Sequence, residues 1–222
     1  MPNRTTIGES RGRAPARLDA SFVARWLRAS ADDIARNRDH LTQLDAAIGD
    51  ADHGVNMDRG FAAVLSMVDS ADGLAPGELL LQTGATLILR VGGAAGPLYG
   101  TAFRDAGMFL GDRSTFVLLD LVDALDAGLR GIIKLGAAEE GDKTIVDAWT
   151  PAVRALQRAR SGEPARAMRA ARAAAEAGSA ATTPMEAKKG RASYLGPRSV
   201  GHQDPGAAST ALLFGALDRA AR

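Results

Sequence analysis

Residues 115–135, TFVLLDLVDALDAGLRGIIKL, decide the fold class of this chain. Their apolar side chains recur every three or four positions, and most of the charged ones fall on other faces. The apolar face comprises Leu118, Leu121, Val122, Leu125, Leu129, Ile132 and Ile133. This period is typical of an amphipathic helix that buries one face, and Gly136 is a suitable residue to end it.

The same helical period recurs on both sides of this stretch, and the alternating pattern of strands is hard to find. Seven further helices are predicted. They run from Phe22 to about Arg38, over 57–68, over 80–91 after a break at 75–77, from Pro97 to Phe109, onward from Asp142 with a bend at Pro151, over 164–181, and around 211–217. Eight helices with short connections predict an all-α fold, an antiparallel up-and-down barrel or bundle.

The composition limits the compartment and the class of partner. The chain has 222 residues, a formal net charge of +1 and no cysteine. Disulfide frameworks, thiol catalysis and thiolate metal sites are therefore excluded, and the basic surplus of most nucleic-acid binders is missing. No apolar run approaches the roughly 20 residues of a membrane span. We expect a cytoplasmic protein with a small-molecule partner, in which residues 1–18 form a flexible leader and 19–222 one helical domain.

The densest polar cluster lies in residues 44–57, LDAAIGDADHGVNM, where a loop enters a helix. Asp45, Asp50 and Asp52 can converge there, and without a basic neighbour they would repel one another unless they bind a divalent cation. The helix start that follows, and a spacing unlike that of an EF-hand, favour magnesium with a phosphate that His53 and Asn56 could contact. The alternative is that Asp50 and Asp52 only cap the helix.

Three further polar segments stand at predicted helix starts. They are 91–101, VGGAAGPLYGT; 141–144, GDKT; and 188–206, which joins a basic segment around Lys189 and Arg191 to the loop before the last helix. Exposed backbone N–H groups at such glycines suit a phosphate, although each segment alone is also typical of a plain turn.

The residues of these segments exclude two common nucleotide-binding motifs. Neither a Walker A loop nor a Rossmann fingerprint is present. In the third start, Asp142 can cap the helix, and Lys143 can reach a phosphate or a carboxylate. An up-and-down bundle can bring all four starts to one end, which predicts a single anion-binding rim.

The four motifs, in this order, resemble the nucleotide-binding L subunit of bacterial dihydroxyacetone kinase, over about Ala20 to Ala220. The resemblance implies an eight-helix antiparallel barrel that holds ADP or ATP and two magnesium ions in the loops at one end. It makes Asp45, Asp50 and Asp52 the metal ligands. The nucleotide contacts that it implies are His53, Gly54, Val55, Asn56, Ala94, Ala95, Gly136, Ile145, Arg191, Asp204, Pro205 and Gly206.

The resemblance also implies an activity. A subunit of this kind passes the terminal phosphoryl group to dihydroxyacetone, or to a similar short hydroxyketone, held on a separate K subunit. Its nucleotide is recharged either by a phosphotransferase-system protein or by exchange with ATP, and a homodimer is a further expectation. Because the partner delivers the acceptor, no catalytic base is assigned within this chain.

Two positions depart from the family pattern. Ala95 stands where the family commonly has serine, so a hydroxyl that could bond a phosphate is missing, and Pro197 replaces a residue that is usually acidic. Two alternatives therefore stay open. One is a regulatory module that senses nucleotide and acts on a protein partner, and the other is a kinase subunit for a different acceptor, such as a four-carbon ketose.

Overall fold

The computed structural model describes residues 16–222, and most of them belong to helices. In chain order the elements are β1 (Leu18–Asp19), α1 (Ala20–Arg36), α2 (Arg38–Ile48), α3 (His53–Ser70), α4 (Pro76–Arg90), α5 (Ala95–Leu110), β2 (Thr115–Phe116), α6 (Leu118–Gly136), α7 (Val146–Ala159), α8 (Pro164–Ala181), a 3₁₀ segment (Arg191–Ser199) and α9 (Pro205–Ala220). The predicted all-α fold is confirmed.

Eight of these helices close into a barrel. From α3 to α9 each helix contacts the next, α9 contacts α1, and α1 contacts α3. Glycines allow the closest of these approaches. A Cβ atom on Gly84 of α4 would lie 2.5 Å from the carbonyl oxygen of Gly100 on α5, and one on Gly77 would lie 2.2 Å from that of Gly111. These pairings make α4 and α5 antiparallel, as predicted for an up-and-down barrel.

The described residues form nine α-helices, and one of them, α2, was not predicted. The eight predicted helices are those of the barrel, whereas α2 packs outside this ring against α3 and α9. It follows α1 almost directly, and Asn37 separates the two by donating its side-chain amide to the carbonyl oxygen of Asp33. Only Leu41, Asp45 and Ile48 of α2 are buried, a stripe too short to stand out from the sequence. Asp45 lies in the last turn of this helix.

Aromatic side chains fill the interior of the barrel. The ring centroids of Trp26 and Phe103 are 5.4 Å apart, as are those of Trp149 and Phe214, and Tyr99 lies 6.5 Å from Trp149. Both indole N–H groups donate to backbone carbonyl oxygens, as buried polar groups must. The interior is thus a packed core, which leaves no room for a ligand inside the barrel.

The two short strands lie at the end where α5 finishes and α6 begins. Leu18 pairs with Phe116 and Asp19 with Thr115, and the Asp19 carboxylate caps α1 by accepting from the N–H of Phe22. Residues 1–15 of the predicted leader lie outside the described residues, and its last residue, Leu18, belongs to β1. Within residues 16–222, no helix combines the length and apolar character that crossing a bilayer requires.

Candidate functional site

Three carboxylates converge between α2 and α3. Asp45, Asp50 and Asp52 each place one oxygen within 4.8 Å of the others. Asp45 is buried, whereas Asp50 and Asp52 are exposed. The structure therefore brings together all three residues that were predicted as metal ligands.

The chain between the two helices turns around the Asp45 side chain. One of its oxygens accepts the N–H of Asp52 at 2.8 Å and that of His53 at 3.1 Å. Gly49 leaves room for this, since a Cβ atom there would lie 2.0 Å from the other Asp45 oxygen. Asp45 thus binds the N–H groups at the start of α3. The Asp52 side chain makes no capping hydrogen bond, which disfavours helix capping as its role.

The only cation that pairs with this cluster within the described residues comes from far along the chain. Arg191 Nε lies 3.0 Å from Asp50 Oδ2, and both side chains are well exposed. The sequence around the cluster shows no basic neighbour, because the 3₁₀ segment that carries Arg191 is distant in sequence. Folding therefore partly offsets the repulsion among the three acids.

The cluster opens into a cavity of about 380 Å³ at the end of the barrel. The predicted site residues that line it are Asp45, Asp50, Asp52, His53, Ala94, Ala95, Arg191, Asp204 and Pro205. Lys189 and Tyr194 also line it, although the resemblance did not assign them. Residues at the N-termini of α3, α5 and α9 surround this cavity, so three of the four predicted helix starts share one rim.

The other predicted nucleotide contacts lie behind this cavity or beside it. Gly54 faces α2, since a Cβ atom there would lie 2.0 Å from the carbonyl oxygen of Arg38. Asn56 is buried against Gly92, and its side-chain oxygen accepts from Arg59 at 2.7 Å. Val55 is partly exposed on the first turn of α3. These residues shape the cavity without lining it.

A second cavity, of about 440 Å³, lies beside the end of α6. Its lining comprises Ile133, Ala137, Ala138, Glu139, Asp142, Lys188 and Lys189. Gly136 lies between two of these residues in sequence, Ile133 and Ala137, and Lys189 belongs to both cavities. Ile145 packs instead against Gly206 at the start of α9. The two cavities are thus neighbours along one rim.

A buried hydroxyl network ties α3, α5 and α9 together under the main cavity. His53 Nε2 lies 2.9 Å from Ser209 Oγ, and the Tyr99 hydroxyl lies 2.7 Å from the same oxygen and 2.8 Å from Thr210 Oγ1. Burial lowers the pKa of His53, against the opposing charges of Asp45 and Asp52, and burial raises the pKa of Tyr99. Both groups are therefore neutral hydrogen-bonding partners near pH 7.

The Asp204 carboxylate caps α9 at the edge of the cavity. Its Oδ2 accepts the N–H of Ala207 at 2.6 Å. Burial raises the pKa of Asp204 to about 7, the charge of Asp147 adds to this rise, and the Ala207 N–H and Lys143 oppose it. A carboxyl group that changes charge near neutral pH thus stands at this helix start.

The segment 141–144 differs from its prediction. Asp142 accepts the N–H of Glu139 and does not cap α7, which begins at Val146. Asp147 instead accepts the N–H groups of Gly141 and Thr144. The Lys143 ammonium meets neither phosphate nor carboxylate, because it is buried among backbone carbonyl oxygens. The sequence shows the polar residues of this turn, but their directions depend on the loop packed against it.

The chain is similar to known proteins over most of its length. The family model described as the DAK2 domain matches residues 47–219. The Escherichia coli K12 protein named "PEP-dependent dihydroxyacetone kinase, ADP-binding subunit DhaL" is 41% identical over 208 residues, which cover 92% of this chain and 99% of that protein. The Lactococcus lactis "PTS-dependent dihydroxyacetone kinase, ADP-binding subunit DhaL" is 38% identical, over 90% of this chain and 97% of that one. Both are subunits of kinases, which is the enzyme class that was predicted.

A solved structure shares the fold. It is that of the dihydroxyacetone kinase from C. freundii in complex with AMP-PNP and Mg²⁺, with a TM-score of 0.72 and 27% sequence identity. The match covers 99% of this chain but 37% of that enzyme, so this chain corresponds to little more than a third of it. With relatives aligned over nine-tenths of its length, the chain belongs to the DAK2 domain family, as a subunit of the DhaL type.

Proposed function

We propose that this chain is the nucleotide-binding subunit of a dihydroxyacetone-type kinase. It holds ADP or ATP with two magnesium ions and passes the terminal phosphoryl group to dihydroxyacetone, or to a similar short hydroxyketone, on a separate K subunit in the cytoplasm. The observation that carries this proposal is the convergence of three carboxylates at a cavity that also presents Arg191, Lys189 and the starts of three helices.

The acidic cluster fits magnesium. Its donors are hard carboxylate oxygens, and their mutual distances of at most 4.8 Å allow one ion to bridge two of them. Asp45, Asp50 and Asp52 would hold the ions, and phosphate oxygens and water would complete the coordination. The bound metal neutralises phosphate charge, which is the main electrostatic demand of phosphoryl transfer.

The helix starts provide the complementary half of the site. Backbone N–H groups at a helix N-terminus, with the partial positive charge of the helix dipole, favour an anion. Gly93 adopts a left-handed φ of 64° before α5, so that the chain can turn beside the cavity. Ala95 has no hydroxyl, and at this position only the backbone remains to contact phosphate. Arg191 and Lys189 add positive charge to the lining of the cavity.

Arg191 changes partner when the ligands bind. Without them it pairs with Asp50, and an exposed pair of this kind is weak enough to exchange. If Asp50 held a magnesium ion, the Arg191 guanidinium would be free to pair with a phosphate. Metal and nucleotide binding are coupled through this residue.

The nucleoside extends toward the second cavity. The resemblance implies nucleotide contacts at Gly136 and Ile145, and Ile133 and Ala137, on either side of Gly136 in sequence, line the second cavity. Lys189 borders both cavities and stands where the phosphate and nucleoside portions join.

The surroundings of the cavity suit a protein partner that delivers the acceptor. Tyr194 is 87% exposed, and Leu89 on the last turn of α4 is 80% exposed. Val55 and Leu135 lie on helix turns at the same end of the barrel and are also exposed. Apolar side chains grouped around a site mark a docking surface. The K subunit fits this role.

The names of the relatives favour recharging of the nucleotide by a phosphotransferase-system protein over exchange with ATP.

A reconstitution experiment tests this function. The chain is mixed with a DhaK-type K subunit, dihydroxyacetone and either ATP or the phosphotransferase-system proteins, and phosphorylated product is measured. We expect product with the unchanged chain, no product with Asp50→Ala, and full activity with Asp72→Ala, whose carboxylate is exposed beyond the far end of α3. Binding of ADP and magnesium without any product would favour the regulatory module. Product from a four-carbon ketose alone would favour the other acceptor.

A further inference from the structure

Lys143 is a buried lysine whose ammonium group is held by backbone carbonyl oxygens. It lies in the turn between α6 and α7 and is 1% exposed. Its Nζ donates to the carbonyl oxygens of Thr182 and Ser199, both at 2.9 Å, to that of Met185 at 3.1 Å, and also to that of His202. Within residues 16–222 none of these partners is a carboxylate. An ammonium has three protons, so four acceptors use its full capacity.

These acceptors come from both ends of a single loop, residues 182–204, which joins α8 to α9. Thr182 and Met185 belong to its first part, and Ser199 and His202 to its last part. The middle of the loop, from Lys189 to Ala192, lines the main cavity. One ammonium group therefore closes the base of the loop whose middle forms a wall of the site.

Two further hydrogen bonds also hold the base of the loop closed. The N–H of Gly201 donates to the carbonyl oxygen of Thr183 at 2.8 Å, and the N–H of Asp204 donates to Thr182 Oγ1 at 2.9 Å. These bonds also join the two ends of the loop.

The backbone of Lys143 is itself held in an unusual conformation. Its φ is 63°, in the left-handed region that residues with a Cβ atom rarely adopt. The turn is kept in this shape by Asp147, which accepts the N–H groups of Gly141 at 2.6 Å and Thr144 at 2.7 Å. A disfavoured conformation persists only where its surroundings determine it, and here it directs the side chain into the base of the loop.

We propose that Lys143 is a positioning residue for the nucleotide site, which it serves by holding the 182–204 loop closed so that Arg191 and Lys189 stand at the cavity. This inference rests on the proposed function. Lys143 does not line either cavity, and so it acts through the loop and not by touching the ligand.

Proteolysis tests the first step without any ligand. Chymotrypsin cleaves after Tyr194, in the middle of the loop, once the surrounding backbone opens. We expect Lys143→Met to be cut there at least about tenfold faster than the unchanged chain. Lys134→Met is the matched control, because it also removes a lysine, but one that is exposed on α6, outside the loop, and lines neither cavity. Equal cleavage of the Lys143→Met variant and the unchanged chain would overturn the proposal.

A double-mutant cycle tests the second step. We expect Lys143→Met to weaken ADP binding in the presence of magnesium by about tenfold, and to have little further effect in an Arg191→Ala, Lys189→Ala background. A purely structural role would lower affinity equally in both backgrounds, and that result would overturn the proposal. If the unchanged chain binds no ADP, the proposed function fails, while the cleavage rates still report on the loop.

If Lys143→Met does not fold, hydrogen exchange on the unchanged chain tests the proposal instead. A single ammonium that holds both ends predicts that the amides of Lys188 and Gly201 become exposed together, in one opening event. Independent opening of the two ends of the loop would overturn the proposal.

Discussion

The acidic cluster and the Lys143 ammonium lie at the same end of the barrel, but their charges are satisfied in opposite ways. Asp50 and Asp52 are exposed, and the Asp52 side chain does not cap α3. Lys143 is buried, and all its protons have carbonyl partners. A charge with spare bonding capacity in an open cavity can exchange its partners for a ligand. A buried charge with a full set of partners holds its surroundings in place.

The largest expected effect is on the acidic side of this comparison. Asp52→Asn removes a metal-binding charge while keeping the size of the side chain. We expect ADP affinity in the presence of magnesium to fall by at least about hundredfold, as measured by calorimetry. The free energy of unfolding without ligand should stay the same or rise, since repulsion among the acids decreases.

Asp72→Asn is the control for this change, since it removes an equally exposed carboxylate outside the cluster. Unchanged ADP affinity in Asp52→Asn would show that Asp52 is not a ligand, and a large loss of stability would place it with the structural charges.

The next effect concerns Asp204, which shares features of both groups because it is buried and also borders the cavity. Its pKa is raised from 3.8 to about 7, so the folded state binds a proton that the unfolded state has released. The stability from this group is therefore present below pH 4 and is lost as the pH rises through 7. We expect a loss of about 2 kcal/mol between pH 5 and pH 8, measured by urea unfolding.

Asp204→Asn retains an oxygen that can cap α9 but cannot ionise, and it should remove this loss. The lowered pKa of His53 acts in the opposite direction below pH 6.5, and it is common to both proteins. Parallel pH profiles for the two proteins would contradict the raised pKa of Asp204.

A smaller effect tests whether the exposed ion pair exchanges. Arg191→Ala should raise the affinity for magnesium alone by about two- to fivefold, because it removes a competitor for Asp50. It should lower ADP affinity in the presence of magnesium by about tenfold, because it removes a phosphate contact. Calorimetric titrations with and without ADP measure both.

Arg198→Ala, in the same loop, should change neither affinity. If Arg191→Ala lowered both affinities, Arg191 would support the metal site and would not compete with it.

The smallest expected effect comes from position 95, where this chain has alanine and the family commonly has serine. Ala95→Ser places a hydroxyl beside the main cavity, and one added hydrogen bond should raise ADP affinity by about two- to fivefold. Ala62→Ser, on the exposed face of α3, is the control. Unchanged affinity in Ala95→Ser would mean that backbone N–H groups already satisfy the phosphate there.

The predictable features of this molecule depend on short distances along the chain. The buried face of α6 can be predicted from the sequence because its apolar side chains recur every three or four residues. The acidic cluster can be predicted because Asp45, Asp50 and Asp52 lie close together in sequence, at the end of α2 and in the turn before α3. The helix α2 was missed because its buried stripe has three residues, and the turn at Asn37 separates it from α1.

Other features need partners that are distant in sequence. The pairing of Arg191 with Asp50, and of Tyr99 with Ser209, joins residues more than one hundred positions apart. Lys143 was expected at a phosphate or a carboxylate, since a lysine beside an aspartate in a polar turn commonly binds such groups. Its carbonyl partners belong to a loop that carries no sequence pattern pointing back to residue 143.

By itself, the sequence determined that the fold is helical, which residues form the eight barrel helices, and which short segment gathers the acids. All of these follow from local periodicity and the reach of a single turn. Only the tertiary structure decided which charges remain open to a ligand and which are buried with a full set of partners. That difference arises because burial and hydrogen bonding depend on the elements that pack around each group, and packing joins residues without regard to their order in the chain.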